Sequence, residues 1–181
     1  GLDGRLGRDR LATLSAWLET KKGLKVALSA TGPLRAFDGK TVTLSARAPA
    51  STQSFQLAHQ VALLFHGDLI EATLDLAGFR TDEAREICRI GLANYFAGAA
   101  MMPYTAFAAA ADAERHDLEA LADMFGASLE QVGHRLSTLQ RPGAKGVPFF
   151  FVRVDQAGTV TKGWAARPAT PTVWSMPTTW T

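Results

Sequence analysis

Cys88 is the only cysteine among these 181 residues. An internal disulfide framework is therefore excluded, and so sparse a thiol content fits a reducing, cytoplasmic compartment. An excess of charge of one sign is lacking too: 19 Lys and Arg stand against 17 Asp and Glu, a formal net charge of +2. That balance neither demands nor excludes an anionic partner. No secretory leader is read at the start, because residues 1–10 are polar and charged. An uninterrupted apolar run of bilayer length is missing as well. The nearest approach, residues 91–111 (GLANYFAGAAMMPYTAFAAAA), is broken by Asn94, Pro103 and Thr105. A helix of that kind is the centre of a globular core more often than a membrane span, so no membrane association is expected.

What is present is core material. Hydrophobic residues make up 47% of the chain and charged residues 20%, which suits one folded domain or one with a small appendage. Leu6, Leu11, Leu14 and Leu18 recur at helical spacing over residues 4–22, and Gly23 ends that helix. Residues 25–29 and 41–45 are short β-prone runs around a turn at Phe37, Asp38 and Gly39, which predicts a small sheet or hairpin. Helices follow over residues 51–65 and 68–76. Thr81 is placed to cap a third that runs to about Met102, where Pro103 stops it. After an alanine-rich turn, Asp117 caps DLEALADMFG, and Ser128 with Gln131 forms a capping box for a helix ending near Leu139. The pattern then changes: VPFFFVRV, the turn DQAG and TVTK predict a β-hairpin. Residues 167–181 show no clear period.

The string LAHQVALLF invites comparison with zinc peptidases. An H-E-x-x-H helix needs two histidines four residues apart on one face, and a glutamate beside the first to activate the bound water. Here Gln60 follows His59, and Leu63 stands at the second histidine's place. One ligand without a base does not run that mechanism, so no enzymatic activity is expected. A lone histidine on an apolar helix is more often a hydrogen-bonded core residue. In LANYFAGAAMMPY, small residues (Ala93, Gly98, Ala99) permit close packing, and Tyr104 exits the helix after Pro103. The plain reading is a central helix. The functional one puts Tyr104 at the mouth of a pocket.

Taken together, the His59 helix and the A-N-x-F-A-x-x-x-M-P pattern about thirty residues later resemble the ImmA/IrrE metallopeptidase-like domain. The longer strings FQLAHQVALL, ICRIGLANYFAGAAMMPY and FGASLEQVGHRLSTLQRPGAKGVPFFFVRVDQAGTVTK resemble the short-chain fatty-acyl transcriptional regulators over about residues 24–162. This resemblance implies an α+β, mainly helical, zincin-like core with a small N-terminal sheet and a C-terminal β-hairpin module. It implies a catalytically dead domain over residues 1–112, then a helix pair and hairpin over 113–181, a ligand module expected to be truncated. The implied function is sensing: a short-chain acyl-CoA is bound without turnover, DNA is contacted through an N-terminal helix-turn-helix lying outside this chain, and the protein is a homodimer.

Some members of that family hold an iron–sulfur cluster on cysteines in three motifs. In this chain only Cys88 is kept, with Gly133 and Thr170 at the other two places. A cluster needs about three or four thiolates, so no cofactor is expected and Cys88 is read as a buried thiol. Arginines common in the family are replaced by Gln53 and Gly163, which removes two phosphate contacts of the strong bidentate kind. The remaining ligand-binding candidates are Phe37 and Tyr104 for adenine or acyl packing, and Arg141, Lys145, Arg153 and Lys162 for phosphates. For each of these basic residues a solvated surface charge is the plain alternative.

Residues 117–139 suggest a second class of function, since their helix–Gly126–helix pattern looks like a helix-turn-helix. It would make the chain a DNA-binding or dimerisation module without a small ligand. The outer face of the second helix offers Glu130, Gln131, His134 and Arg135. One cation there is poor provision for a phosphate backbone, so the sensor is preferred.

Overall fold

The computed structural model describes residues 10–154, 156 and 158–165. The chain divides into two units, residues 1–132 and 133–181. Along the chain run α1 (Arg10–Lys22), β1 (Lys25–Ser29), β2 (Arg35–Phe37), β3 (Thr41–Ser45), α2 (Ala50–Phe65), α3 (Gly67–Ala77), α4 (Asp82–Met101), α5 (Tyr104–Ala113), α6 (Leu118–Phe125), α7 (Leu129–Ser137), β4 (Phe150–Val154) and β5 (Val160–Ala165). The class is α+β and mainly helical. No helix among the described residues is long and apolar enough to cross a membrane.

In the first unit β3 is the central strand, parallel to β1 and antiparallel to β2. The two strands legible in the sequence are thus neighbours, but as a parallel pair with a third strand between them in the chain. Three residues of β2 carry too short a pattern to be seen beforehand. The turn into β3 is drawn tight by the Asp38 carboxylate, which accepts the backbone N–H of Lys40 and Thr41 at 2.8 and 2.7 Å. Val42 and Leu44 alternate inward along β3 and are fully buried with Leu18, Leu57 and Val61, which joins the sheet to α1 and α2. Burying each such side chain contributes about 1.5–3 kcal/mol.

A second cluster, Ala62, Ile70, Leu74 and Ala93, locks α2, α3 and α4 together. Thr81 caps α4 as expected, its hydroxyl accepting from the Ala84 N–H at 3.2 Å. On the outside, the Arg85 guanidinium reaches back to Glu71 and Asp75 on α3 at 2.8 and 2.7 Å.

The segment expected as an alanine-rich turn is a helix, α5. Alanine has the highest helix propensity, and Pro103 precedes the first turn, where a missing N–H costs nothing. Packing then decides the matter, because Phe107 and Ala111 are buried. The helix ends unusually. Gly23, Gly78 and Gly126 take the left-handed conformation after α1, α3 and α6, whereas Arg115 and His116 do so after α5, with φ of 51° and 63°. A side chain in that region costs about 1–2 kcal/mol.

Asp117 caps α6 through the N–H groups of Glu119 and Ala120. Ser128 and Gln131 exchange hydrogen bonds at the start of α7, which is the reciprocal capping box. In the second unit the chain leaves α7 through a turn closed by the Gly146 N–H donating to the Leu139 carbonyl at 2.9 Å. The hairpin follows with β4 antiparallel to β5. Residues 147–149, part of the expected strand, lie outside it.

Candidate functional site

Two places in the molecule carry functional chemistry, one in each unit. The first is the peptidase-like helix. His59 projects from α2 and is only 4% exposed. Its Nδ1 lies 2.7 Å from the Asn94 Oδ1 on α4. Since a side-chain amide oxygen only accepts, Nδ1 carries the proton and Nε2 keeps its lone pair. Burial, together with the nearby Arg35 guanidinium on β2, holds the His59 pKa below 6.5, against an opposing pull from the Asn94 bond. The ring is therefore neutral at physiological pH. Burial also lowers the Arg35 pKa, and its Nη1 donates to the Gln56 carbonyl at the long distance of 3.5 Å.

The neighbours of this histidine on α2 are an amide and an apolar side chain. Gln60 is buried beside it and has no acid–base capacity. Leu63, one helical turn on, packs against the Ala62–Ala93 cluster together with Leu92 and Cys88. Among the described residues no group of three or more His, Cys, Asp or Glu side chains is placed to hold a metal ion. Cys88 is half-buried rather than enclosed. Gln53 does not point to a ligand: its amide donates to the Ser45 and Ala48 carbonyls at 3.1 and 3.0 Å and ties the β3–α2 loop to the helix.

The second place is the hairpin. The backbone register sets Arg153 directly opposite Lys162, and two positions along it sets Phe151 opposite Trp164. Between these two pairs Val152 stands opposite Gly163. Like charges directly opposed across an antiparallel pair are unfavourable unless an anion lies between them. Phe151 and Trp164 were not singled out from the sequence. The alternation in FFVRV and VTKGWA contained the signal, but only the register joins it across the strands.

The other predicted site residues fall elsewhere. Phe37 is half-buried in β2 and packs against the Leu18–Val61 cluster, which leaves it a core role. Tyr104 opens α5 and is half-buried. Arg141 and Lys145 are exposed, and the Arg141 carbonyl accepts from the Ala144 N–H in the turn after α7. Phe37 and Tyr104 belong to the first unit, and the four basic residues to the second. Thr170 lies outside the described residues.

The helix-turn-helix alternative loses its support here. Arg135, the one firm cation on the supposed outer face of α7, is only 4% exposed, and its Nη1 donates to the Thr138 hydroxyl. Gln131 is engaged in the capping box and at the Ser51 carbonyl. Neither is presented to a DNA groove.

Comparison with known proteins agrees with this division. Residues 19–137 match the IrrE N-terminal-like domain, and residues 138–173 match the C-terminal region of the short-chain fatty acyl coenzyme A regulators. The chain is 65% identical over 158 residues to the propionyl-CoA carboxylase regulator of Cereibacter sphaeroides, covering 86% of this chain and 34% of that protein. It is 49% identical over 110 residues to the HTH-type transcriptional regulator PrpR of Mycobacterium tuberculosis, covering 61% and 23%. With RamB, a second HTH-type regulator from that organism, it shares 45% over 122 residues, 67% of this chain and 26% of the relative. A solved Mycobacterium tuberculosis transcriptional regulator superposes with a TM-score of 0.84 at 37% identity, over 88% of this chain and 50% of that one. The chain thus spans about a third or less of the length of these curated relatives.

Proposed function

The chain belongs to the IrrE N-terminal-like domain family and carries the C-terminal region of the short-chain fatty acyl coenzyme A regulators, and from that premise we propose that it is the acyl-CoA-sensing part of a transcription factor, binding its ligand without turning it over. The observation that carries the reading is the hairpin's backbone register. Arg153 opposite Lys162 offers two cations to a phosphate, and Phe151 opposite Trp164 offers aromatic surface to a base. A coenzyme A moiety has both parts, several phosphates and an adenine. Charge-assisted bonds from Arg to phosphate are the strong class of hydrogen bond, and base stacking on an aromatic adds about 1–3 kcal/mol.

Absence of turnover follows from the chemistry beside His59. Gln60 cannot take a proton from water, and Leu63 fills the place of a second ligand with apolar packing. The output is a population shift. A ligand that prefers one arrangement of the sensor biases the DNA affinity of the whole regulator by no more than its differential affinity for the two states. No iron–sulfur cluster is part of the mechanism, since Cys88 supplies a single thiolate.

The test is a thermal-shift titration with free CoA and with acetyl-, propionyl-, butyryl- and longer acyl-CoAs. A ligand at 100 times its Kd adds about 2.7 kcal/mol of stability. A selective rise that disappears in Arg153→Gln/Lys162→Gln supports the reading and identifies the acyl group. A flat response across the series removes it, and leaves the fold as a partner-binding scaffold.

A further inference from the structure

We propose that the α5–α6 connection is a conditional helix break: the chain exchanges between the folded-back hairpin seen here and one continuous helix over residues 104–125, with Arg10 as the latch of the folded-back state.

Every other left-handed stop after a helix in the first unit falls on glycine, at Gly23, Gly78 and Gly126. The break after α5 falls on Arg115 and His116, two successive residues with side chains, at φ of 51° and 63°. From Tyr104 to Phe125 the sequence YTAFAAAADAERHDLEALADMF contains neither glycine nor proline and is dominated by alanine, leucine and glutamate. Local preference across the junction is therefore for uninterrupted helix. Against it stand local features: the Asp117 cap, which accepts from the Glu119 and Ala120 N–H groups, and the turn in which the Arg115, His116 and Asp117 N–H groups donate to the Asp112, Ala111 and Glu114 carbonyls.

The remainder of what holds the break is tertiary. Phe107 on α5 meets Phe125 at the end of α6, ring centroids 5.1 Å apart in an edge-on contact. Leu121 is fully buried on α6. Arg10, 6% exposed at the start of α1, donates from Nη1 to the Phe125 carbonyl at 2.6 Å. That carbonyl is at the C-terminal end of α6, where the helix dipole favours a cation. Among the described residues the Arg10 Nε has no hydrogen-bond partner. Removing the guanidinium takes away a polar contact that fastens the last turn of α6 to α1, while the strain at Arg115 and His116 favours straightening. A transition of this kind, one element with two discrete arrangements, is what switching requires.

The two states differ by a distance that is easily read. Here Phe107 and Phe125 meet edge-on, whereas in a continuous helix residues 105 and 123 are eighteen residues and about 27 Å apart. Spin labels at Thr105→Cys and Asp123→Cys in a Cys88→Ser background, read by pulsed dipolar spectroscopy, should give one short distance. In Arg10→Met a second, narrow population near about 27 Å should appear with the far-UV helical signal undiminished. Adding Arg115→Gly and His116→Gly to Arg10→Met should abolish it, because glycine removes the strain. A single short distance in Arg10→Met overturns the proposal. So does a broad distribution with lost helical signal, which would make Arg10 merely structural, and so does a long population that survives the two glycines.

Discussion

His59 and Asn94 face each other across the α2–α4 packing with Nδ1 and Oδ1 2.7 Å apart, which fixes the proton on Nδ1, while burial of the ring keeps it neutral. The pair is a hydrogen bond between two helices that also meet through Ala62 and Ala93 in the first unit's second core cluster.

Stability should therefore fall on acidification through this residue. The folded pKa of His59 lies below 6.5, so the unfolded chain takes up the proton first. The contribution is fully present above the unfolded value and is lost as pH falls from there through the folded pKa. Urea unfolding at pH 7.5 and at pH 5.5 should show a loss for the native chain, and a smaller loss for His59→Gln. Equal losses would assign the acid sensitivity to other groups.

Removing the acceptor should cost more than the bond is worth. In Asn94→Ala the imidazole N–H stays buried without a partner, a penalty of about 1–3 kcal/mol. A lowered unfolding midpoint with no change in ligand affinity is the expected result.

Zinc dialysis followed by elemental analysis should find no stoichiometric zinc in the native chain. Gln60→Glu/Leu63→His restores the two-histidine spacing on one helix face and should gain a measurable zinc site, at a cost in stability because Leu63 packs against the core. Stoichiometric zinc in the native chain would reopen the peptidase reading.

On the hairpin, Trp164→Ala should weaken CoA binding about tenfold or more through lost stacking. Arg153→Gln and Lys162→Gln should each weaken it and reduce its salt dependence, while leaving the unliganded hairpin no less stable, since each relieves a like-charge pair. Calorimetric titration at two salt concentrations separates these effects. Tyr104→Ala reports separately on whether α5 takes part: unchanged ligand-induced stabilisation would exclude it.

Gly146 is needed for space and not for backbone freedom. A Cβ built there would sit 2.9 Å from the Leu139 Cβ, an atom too close to the backbone to swing aside. Gly146→Ala should destabilise the turn after α7 by about 1–3 kcal/mol, seen as a lower midpoint in denaturant.

The sequence by itself determined the elements whose signals are local. Thr81, Asp117 and the Ser128–Gln131 box each appear where a capping side chain can satisfy its own helix's free N–H groups. The His59–Gln60–Leu63 spacing is likewise local, because which residues share one helix face is a property of the chain alone. Only the tertiary structure decided the rest. It made a helix of the alanine-rich segment by burying Phe107, and it placed two left-handed residues where the sequence carries no glycine. It drew Arg135 inward and with that removed the DNA-reading face. It turned Gln53 into a loop clamp, and it set Arg153 against Lys162 through a strand register that no single strand contains. Each of these depends on what lies across from a residue in space. A capping hydrogen bond closes within four residues and so is written in the order of the chain, whereas burial and cross-strand pairing are contributed by segments the local sequence does not know.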